Sequence, residues 1–262
     1  MPHFESASDY WTFQHSVRQE ARYVRTKQAE KFLQALSKSA KEQHFQLDKG
    51  RLLWRAQLGH GWSPSFDNDG NEIEGGEQVG PHEPERMKPI AGQATEGRAN
   101  SKGIPCLYLA TDRDTALSEI RPGLKMSISA AQFKTTRELQ LILFASEESQ
   151  KIRYFRTEPP PEDRDEFVWR DIDRAFSKPI TPTDTSADYA PTQIIAEMFK
   201  LEGLDGIAYR SAFAGGYNVA LFDINSAKQV NCGLFEAKSL SYKFEEICNP
   251  YTLRSNEPQD NT

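Results

Sequence analysis

The 262-residue sequence has only three cysteines, Cys106, Cys232 and Cys248, and no two of them form a C-x-x-C pair. An odd, scattered set does not make a disulfide framework. Cys106 and Cys232 stand in apolar surroundings and read as buried thiols, which fits a reduced, cytoplasmic compartment. Long apolar runs are also missing. The longest, LILFA at 141–145, is far too short to cross a bilayer, so no membrane association is expected. The first residues, MPHFESASDYW, lack a basic region followed by an apolar one, so no signal peptide is expected. Positive charge is not in excess either: 32 Lys and Arg stand against 38 Asp and Glu. Net charge therefore gives no argument for a polyanionic partner, and nucleic acid is not expected to bind directly.

Common catalytic signatures are absent as well. The sequence contains no G-x-x-x-x-G-K-[ST], no G-x-G-x-x-G after a strand, no H-E-x-x-H and no G-x-S-x-G. Its five histidines, His3, His15, His44, His60 and His82, share no ligand spacing. This argues against a metal centre and against a histidine general base.

Periodicity supplies what is present. Residues 6 to about 46 read as one long helix or two short ones, with Tyr10, Phe13, Val17, Ala21 and Val24 on one stripe and Phe32, Leu33, Leu36 and Ala40 resuming it. Ser6 with Asp9 resembles a capping box. This arm is amphipathic, and the body of the same chain is its expected partner, with a second subunit left open. RLLWRAQ at 51–57 reads as a strand. The segment 59–105, rich in Gly, Pro and charge, reads as a long functional or mobile loop. CLYLA at 106–110 is a strand, followed by a short helix capped by Thr111 or Asp112 and stopped at Arg121-Pro122. Strands are expected near 125–130 and 139–145, a helix in EFVWRDIDRAF, then a helix, turn and strand over 188–211 and a strand at 217–223. Pro191 fits a first helical turn. Strands and helices mix without regular alternation, which gives an α+β class.

Several polar groups sit inside apolar segments. Arg55 lies in LLWRAQLG, Arg98 in EGRANSKGIP, Tyr108 in CLYLA, Glu119 in ALSEIRP and Ser211 at the end of GIAYRS. A buried arginine needs an anion or a set of acceptors. Singly, each also has a structural explanation. Arg55 could pair with a protein carboxylate, Tyr108 could be core, Glu119 a solvated helix residue, Ser211 a turn former and Arg98 part of a loose loop.

Their order is more informative. W-R-A at 54–56 is followed by E-G-R-A-N and G-I-P-C-L-Y-L-A within 96–110, then A-L-S-E-I-R-P at 116–122. Y-A-P-T-Q at 189–193, G-L-D-G-I-A-Y-R-S at 203–211 and Y-N-V-A-L-F at 217–222 complete the series. This pattern resembles the RES-domain family, named for an Arg, a Glu and a Ser, over roughly residues 51 to 235. The resemblance implies an ADP-ribosyltransferase-like fold: a split mixed β-sheet core with flanking helices, here with an added N-terminal helical arm. It divides the chain into an arm at 1–48, a RES domain at 49–248 and a tail at 249–262 expected to be disordered.

The resemblance also implies an activity. RES proteins are known as bacterial toxins that destroy NAD by hydrolysis or phosphorolysis, and they commonly pair with an Xre-type antitoxin. NAD is then a substrate, and no cofactor or metal is implied. Carried over by motif, the catalytic set falls on Arg55, Tyr108, Glu119 and Ser211. Arg55, Tyr108, Ser211 and the less certain Arg98 fall on NAD binding. Two alternatives stay open: transfer of ADP-ribose to a protein or nucleic acid, and a non-catalytic nucleotide-binding or interaction module. Homo-oligomers are compatible with this sequence.

Overall fold

The computed structural model describes residues 2–67, 69–145, 157–179, 185–241 and 244. The sequence-level tail, 249–262, lies outside them. The N-terminal arm is broken. Helix α1 (Asp9–His15) runs into a π-helical turn at Ser16–Glu20, and α2 (Lys27–Ser39) starts afresh. Thr26 caps α2 by accepting from the Ala29 N–H at 3.2 Å. Ala29, Phe32, Leu33 and Leu36 form its buried stripe. The Ser6–Asp9 box is half formed. The Asp9 carboxylate accepts from the Glu5 and Ser6 amides at 2.9 and 3.1 Å, but the Ser6 hydroxyl turns to Glu158 instead.

The arm also contributes a strand that periodicity did not show, β1 (His44–Leu47). Strand β2 (Leu52–Leu58) follows. The expected loop at 59–105 contains a hairpin, β3 (Gly61–Phe66) and β4 (Glu72–Gly80), whose strands pair, among the described residues, only with each other. Beyond it come β5 (Leu107–Ala110), α3 (Arg113–Glu119), β6 (Ser127–Thr135) and β7 (Leu139–Phe144). Helix α4 (Arg164–Ser177) and α5 (Ser186–Leu201) precede β8 (Gly206–Arg210), β9 (Tyr217–Leu221) and β10 (Ala227–Glu236). The last of these was not expected from the sequence. Helix α5 begins earlier than the pattern suggested, with Asp188 accepting from the Thr185 N–H at 2.7 Å. That start places Pro191 inside the helix rather than in its first turn.

Among the described residues, eight strands form one mixed sheet in the order β1-β7-β8-β9-β5-β2-β6-β10. β7 and β8 run parallel, joined through α4 and α5, and the remaining pairs are antiparallel. The fold is α+β. The sheet is nearly split: β2 pairs with β6 along its whole length and β5 with β9 along its whole length, but β2 and β5 meet only at Trp54 and Ala110.

Strand alternation sorts the core onto two faces. Ile142, Phe144, Ile207, Tyr209 and Ala220 pack under the helices, together with Phe13, Phe32, Val168, Ile172, Phe176 and Phe199. The arm is therefore part of the main core. Leu107, Leu109, Leu139, Leu141, Val219 and Leu221 point to the other face, joined by Leu53, Phe133 and Met87. Among the described residues, no helix is long and apolar enough to cross a membrane.

Candidate active site

The carboxylate of interest stands at the end of α3. Asp112 caps that helix, accepting from the Thr115 N–H and hydroxyl, both at 2.8 Å. One face of α3 packs through Ala116, Leu117 and Ile120 on Trp54, Ala56 and Ala110. The helix therefore straddles the seam between the half-sheets, and its last residue, Glu119, is carried toward β8 and β9. There the Glu119 Oε1 accepts from the Ser211 Oγ and from the Asn218 Nδ2, each at 2.6 Å. Both donors converge on one oxygen. Oε2 has no hydrogen-bond partner among the described residues.

Ser211 is itself fixed. Its Oγ accepts from the Phe213 and Ala214 amides at 3.1 and 3.3 Å, and its own N–H donates to the Gly216 carbonyl at 3.0 Å. The hydroxyl proton is left for Glu119, so the short turn after β8 aims one donor at the carboxylate. Asn218 sits in β9 opposite Ala110 of β5 and Tyr209 of β8. Burial pushes the Tyr209 phenol up, and the nearby Glu119 charge pushes it further.

Tyr108 belongs to the same sheet face as Asn218. It lies opposite Ala220, two residues along from the Ala110–Asn218 pair, which makes Tyr108 and Asn218 diagonal neighbours about 7–8 Å apart. Its hydroxyl donates to the Asn100 Oδ1 at 2.6 Å and accepts from the Ala99 N–H at 2.9 Å. Burial raises its pKa well above the ordinary value, so the phenol stays neutral. The hydroxyl is thus committed to holding the G-R-A-N turn, which Gln193 also grips by donating to the Gly97 and Asn100 carbonyls, both at 2.9 Å. What Tyr108 has left for a ligand is its ring. Tyr108→Phe is expected to lower stability by about 1–3 kcal/mol, because it leaves the Ala99 N–H and the Asn100 oxygen without their partner. A denaturant titration checks this; a variant as stable as the parent would show that the turn needs no such tether.

Arg55 approaches from the other side of the seam. Its Nη1 donates to the Tyr108 carbonyl at 2.9 Å, close to the point where β2 and β5 part. Its Nε is buried with no partner, and it makes no ion pair among the described residues. Burial pulls its pKa below the usual arginine value. A guanidinium offers five N–H donors, and here a backbone carbonyl takes one. Arg98 is placed differently. It donates to the Ala175 carbonyl at 2.7 Å and to the Lys178 carbonyl, closing the C-terminal end of α4, and it lies over the Tyr189 ring.

The structure thus joins Glu119 to Ser211 and Arg55 to Tyr108. It adds Asn218, which sequence reading passed over although it lies within Y-N-V-A-L-F. The available signal was a polar amide in an otherwise apolar strand, a position where Asn is disfavoured. Cys106 does not join this group as a nucleophile: burial pushes its thiol up to about 12, and it donates to the Leu221 carbonyl. No group of three or more metal-binding side chains occurs among the described residues.

A model of the RES domain matches residues 77–244. The chain belongs to the RES-domain family. Tyr108, Glu119, Ser211 and Asn218 lie inside the match, and Arg55 precedes it. Comparison with curated proteins finds no match. Among solved structures, this RES-domain chain is similar to one in the M. tuberculosis MbcT–MbcA toxin–antitoxin complex, at 11% identity and a TM-score of 0.42. That similarity covers 76% of this chain and 91% of the other.

Gly216 links the turn to the helix cap in this RES domain. A Cβ there would lie 2.0 Å from the Asp112 Oδ2 and 2.4 Å from the Thr115 Oγ1. Gly216→Ala is expected to push Asp112 off the start of α3, with a loss of about 0.5–2 kcal/mol and reduced activity through Glu119. Thermal melts and activity measured on one preparation check it. Unchanged values in both would show that the cap yields without moving the helix.

Proposed function

We propose that this chain consumes NAD by cleaving its nicotinamide–ribose bond. The observation that carries the reading is the Glu119 carboxylate, held at one oxygen by Ser211 and Asn218 and, among the described residues, without a hydrogen-bond partner at the other. In the reaction the C1′–N bond breaks, and its electron pair stays on the nicotinamide nitrogen, which leaves neutral. An oxygen of water or phosphate then adds to C1′. Water yields ADP-ribose and a proton; phosphate yields the 1-phosphate of ADP-ribose. Because nicotinamide leaves a cationic group, little acid assistance is needed. The demand is for stabilisation of positive charge on the ribose in an oxocarbenium-like transition state.

Glu119 meets that demand. Its free oxygen accepts from a ribose hydroxyl, while Ser211 and Asn218 keep the carboxylate from turning away. Tyr108 offers its ring as a wall for nicotinamide or ribose. Arg55 is a cation with unspent donors, suited to the diphosphate through charge-assisted hydrogen bonds. Arg98 contributes indirectly, by fixing the turn that Tyr108 also holds. No resident cofactor or metal is needed in this scheme.

A cytoplasmic enzyme of this kind would drain its own host, so the reading includes a toxin role and restraint by an antitoxin-type protein. Both rest on the family resemblance. The test is purified chain mixed with NAD, with and without phosphate, with products identified by mass. Free nicotinamide with ADP-ribose or its 1-phosphate is the expected result. Intact NAD in both mixtures would overturn the reading, and ADP-ribose found on a macromolecule would move it to a transferase.

A further inference from the structure

The hairpin β3–β4 pairs with no strand of the main sheet, and the RES match begins only at residue 77. Most of the hairpin is therefore outside the shared domain. Its exposed face is apolar. Trp62, Pro64 and Phe66 alternate along β3, and Val79 stands directly opposite Trp62. Trp62 and Phe66 are each 56% exposed, and Val79 is exposed beside them. A two-stranded ribbon alone is marginal in water, and an apolar patch of this kind marks a surface that something covers.

Charge indicates what covers it. Residues 61–80 contain Asp67, Asp69, Glu72, Glu74 and Glu77 and no Lys or Arg. Two of these border the apolar face itself, with Glu77 opposite Pro64 and Glu72 opposite Phe66. The occupant must therefore be basic and apolar together. The chain has such a surface. The loop before α2 reads A-R-Y-V-R-T-K at 21–27, with Arg22, Arg25 and Lys27 and no acidic residue. Tyr23 and Val24 at its tip are 92% and 85% exposed, although the sequence pattern had placed Val24 on the buried stripe of a helix.

We propose that the hairpin of one copy binds the Arg22–Lys27 loop of a second copy. Tyr23 and Val24 cover Trp62, Phe66 and Val79, and Arg22 and Arg25 meet Glu72 and Glu77. In a two-fold arrangement the contact is made twice, which doubles the effect of any change in it. Such an interface weakens as salt rises.

The test is the association state of the full chain by sedimentation velocity, at low and high salt. The parent is expected to dimerise at low salt and to dissociate at high salt. R22E/R25E and E72K/E77K should each weaken the dimer by about ten-fold or more, since like charges then face each other. Combining all four changes should restore it. Arg25, Glu72 and Glu77 are exposed, whereas Arg22 is half-buried and donates its Nε to the Val17 carbonyl at 3.3 Å; circular dichroism of each variant verifies that the fold persists. A parent that stays monomeric at low salt overturns the proposal and leaves the hairpin to a foreign basic protein. A dimer indifferent to both charge reversals, or one not restored by their combination, overturns it as well.

Discussion

Glu119→Gln is expected to slow NAD cleavage by about 10²–10³-fold while leaving the fold intact. The substitution suits the geometry. The amide oxygen can keep both donors, Ser211 and Asn218, which already converge on Oε1. The amide nitrogen replaces Oε2, which has no partner among the described residues. Shape and hydrogen bonds are retained, and the charge is lost. The effect should fall on kcat, because the charge on the ribose develops only as the bond breaks. Ser211→Ala and Asn218→Ala each remove one of two donors, so each should cost less than Glu119→Gln, with the double variant approaching it. Arg55→Ala should act mainly on KM, since a diphosphate is held equally before and during bond cleavage. Steady-state kinetics on the purified variants decides. Parental turnover in Glu119→Gln would remove the carboxylate from the chemistry.

The second large effect is on stability. Phe144 at the end of β7 is stacked on Phe176 of α4, with ring centroids 4.4 Å apart and planes 10° from parallel. Trp169 lies 5.7 Å from it and Phe199 of α5 6.1 Å. Its ring therefore touches both helices that cross between the parallel strands. Phe144→Ala is expected to cost about 3–5 kcal/mol, the transfer term for the ring plus the cavity left behind. Urea unfolding followed by tryptophan fluorescence gives the value. A loss below about 1 kcal/mol would mean that α4 collapses onto the sheet and fills the space.

The sequence was most legible where one period runs uninterrupted. The strand at 106–110, the Asp112 cap, α4 and the strand at 217–223 all stood out because capping chemistry and apolar spacing agree locally. The arm was harder. Val17 continues a helical stripe, yet the backbone widens into a π-turn at Ser16–Glu20 and the stripe is lost before Val24. Strand β1 is four residues long and mostly exposed, so it carries no alternation to read; its pairing with Leu139–Ile142 defines it. The hairpin was hidden by its Gly and acidic content, and β10 by the polar outer positions of a sheet-edge strand. At the site, Glu119 and Ser211 are 92 residues apart, and the order of the family motifs rather than any local pattern connects them. Arg98 shows the limit most clearly. A local reading sees an arginine in a polar loop, and the carbonyls that occupy it lie on a helix end 77 and 80 residues further on.

The strand order has a consequence for synthesis of the chain. β9 sits between β5 and β8 in the middle of the sheet, although it is the second-last strand to leave the ribosome. Until residue 221 has emerged, β5 lacks its full-length neighbour and is attached to β2 at one residue pair. Such non-local pairing makes folding late as well as slow. The two groups that steer Glu119 also arrive in this last third, at positions 211 and 218. A nascent or truncated chain ending before β9 therefore has the carboxylate but neither its guides nor the closed sheet behind it. On the proposed reading, the chain would in this way be inert for most of its own translation.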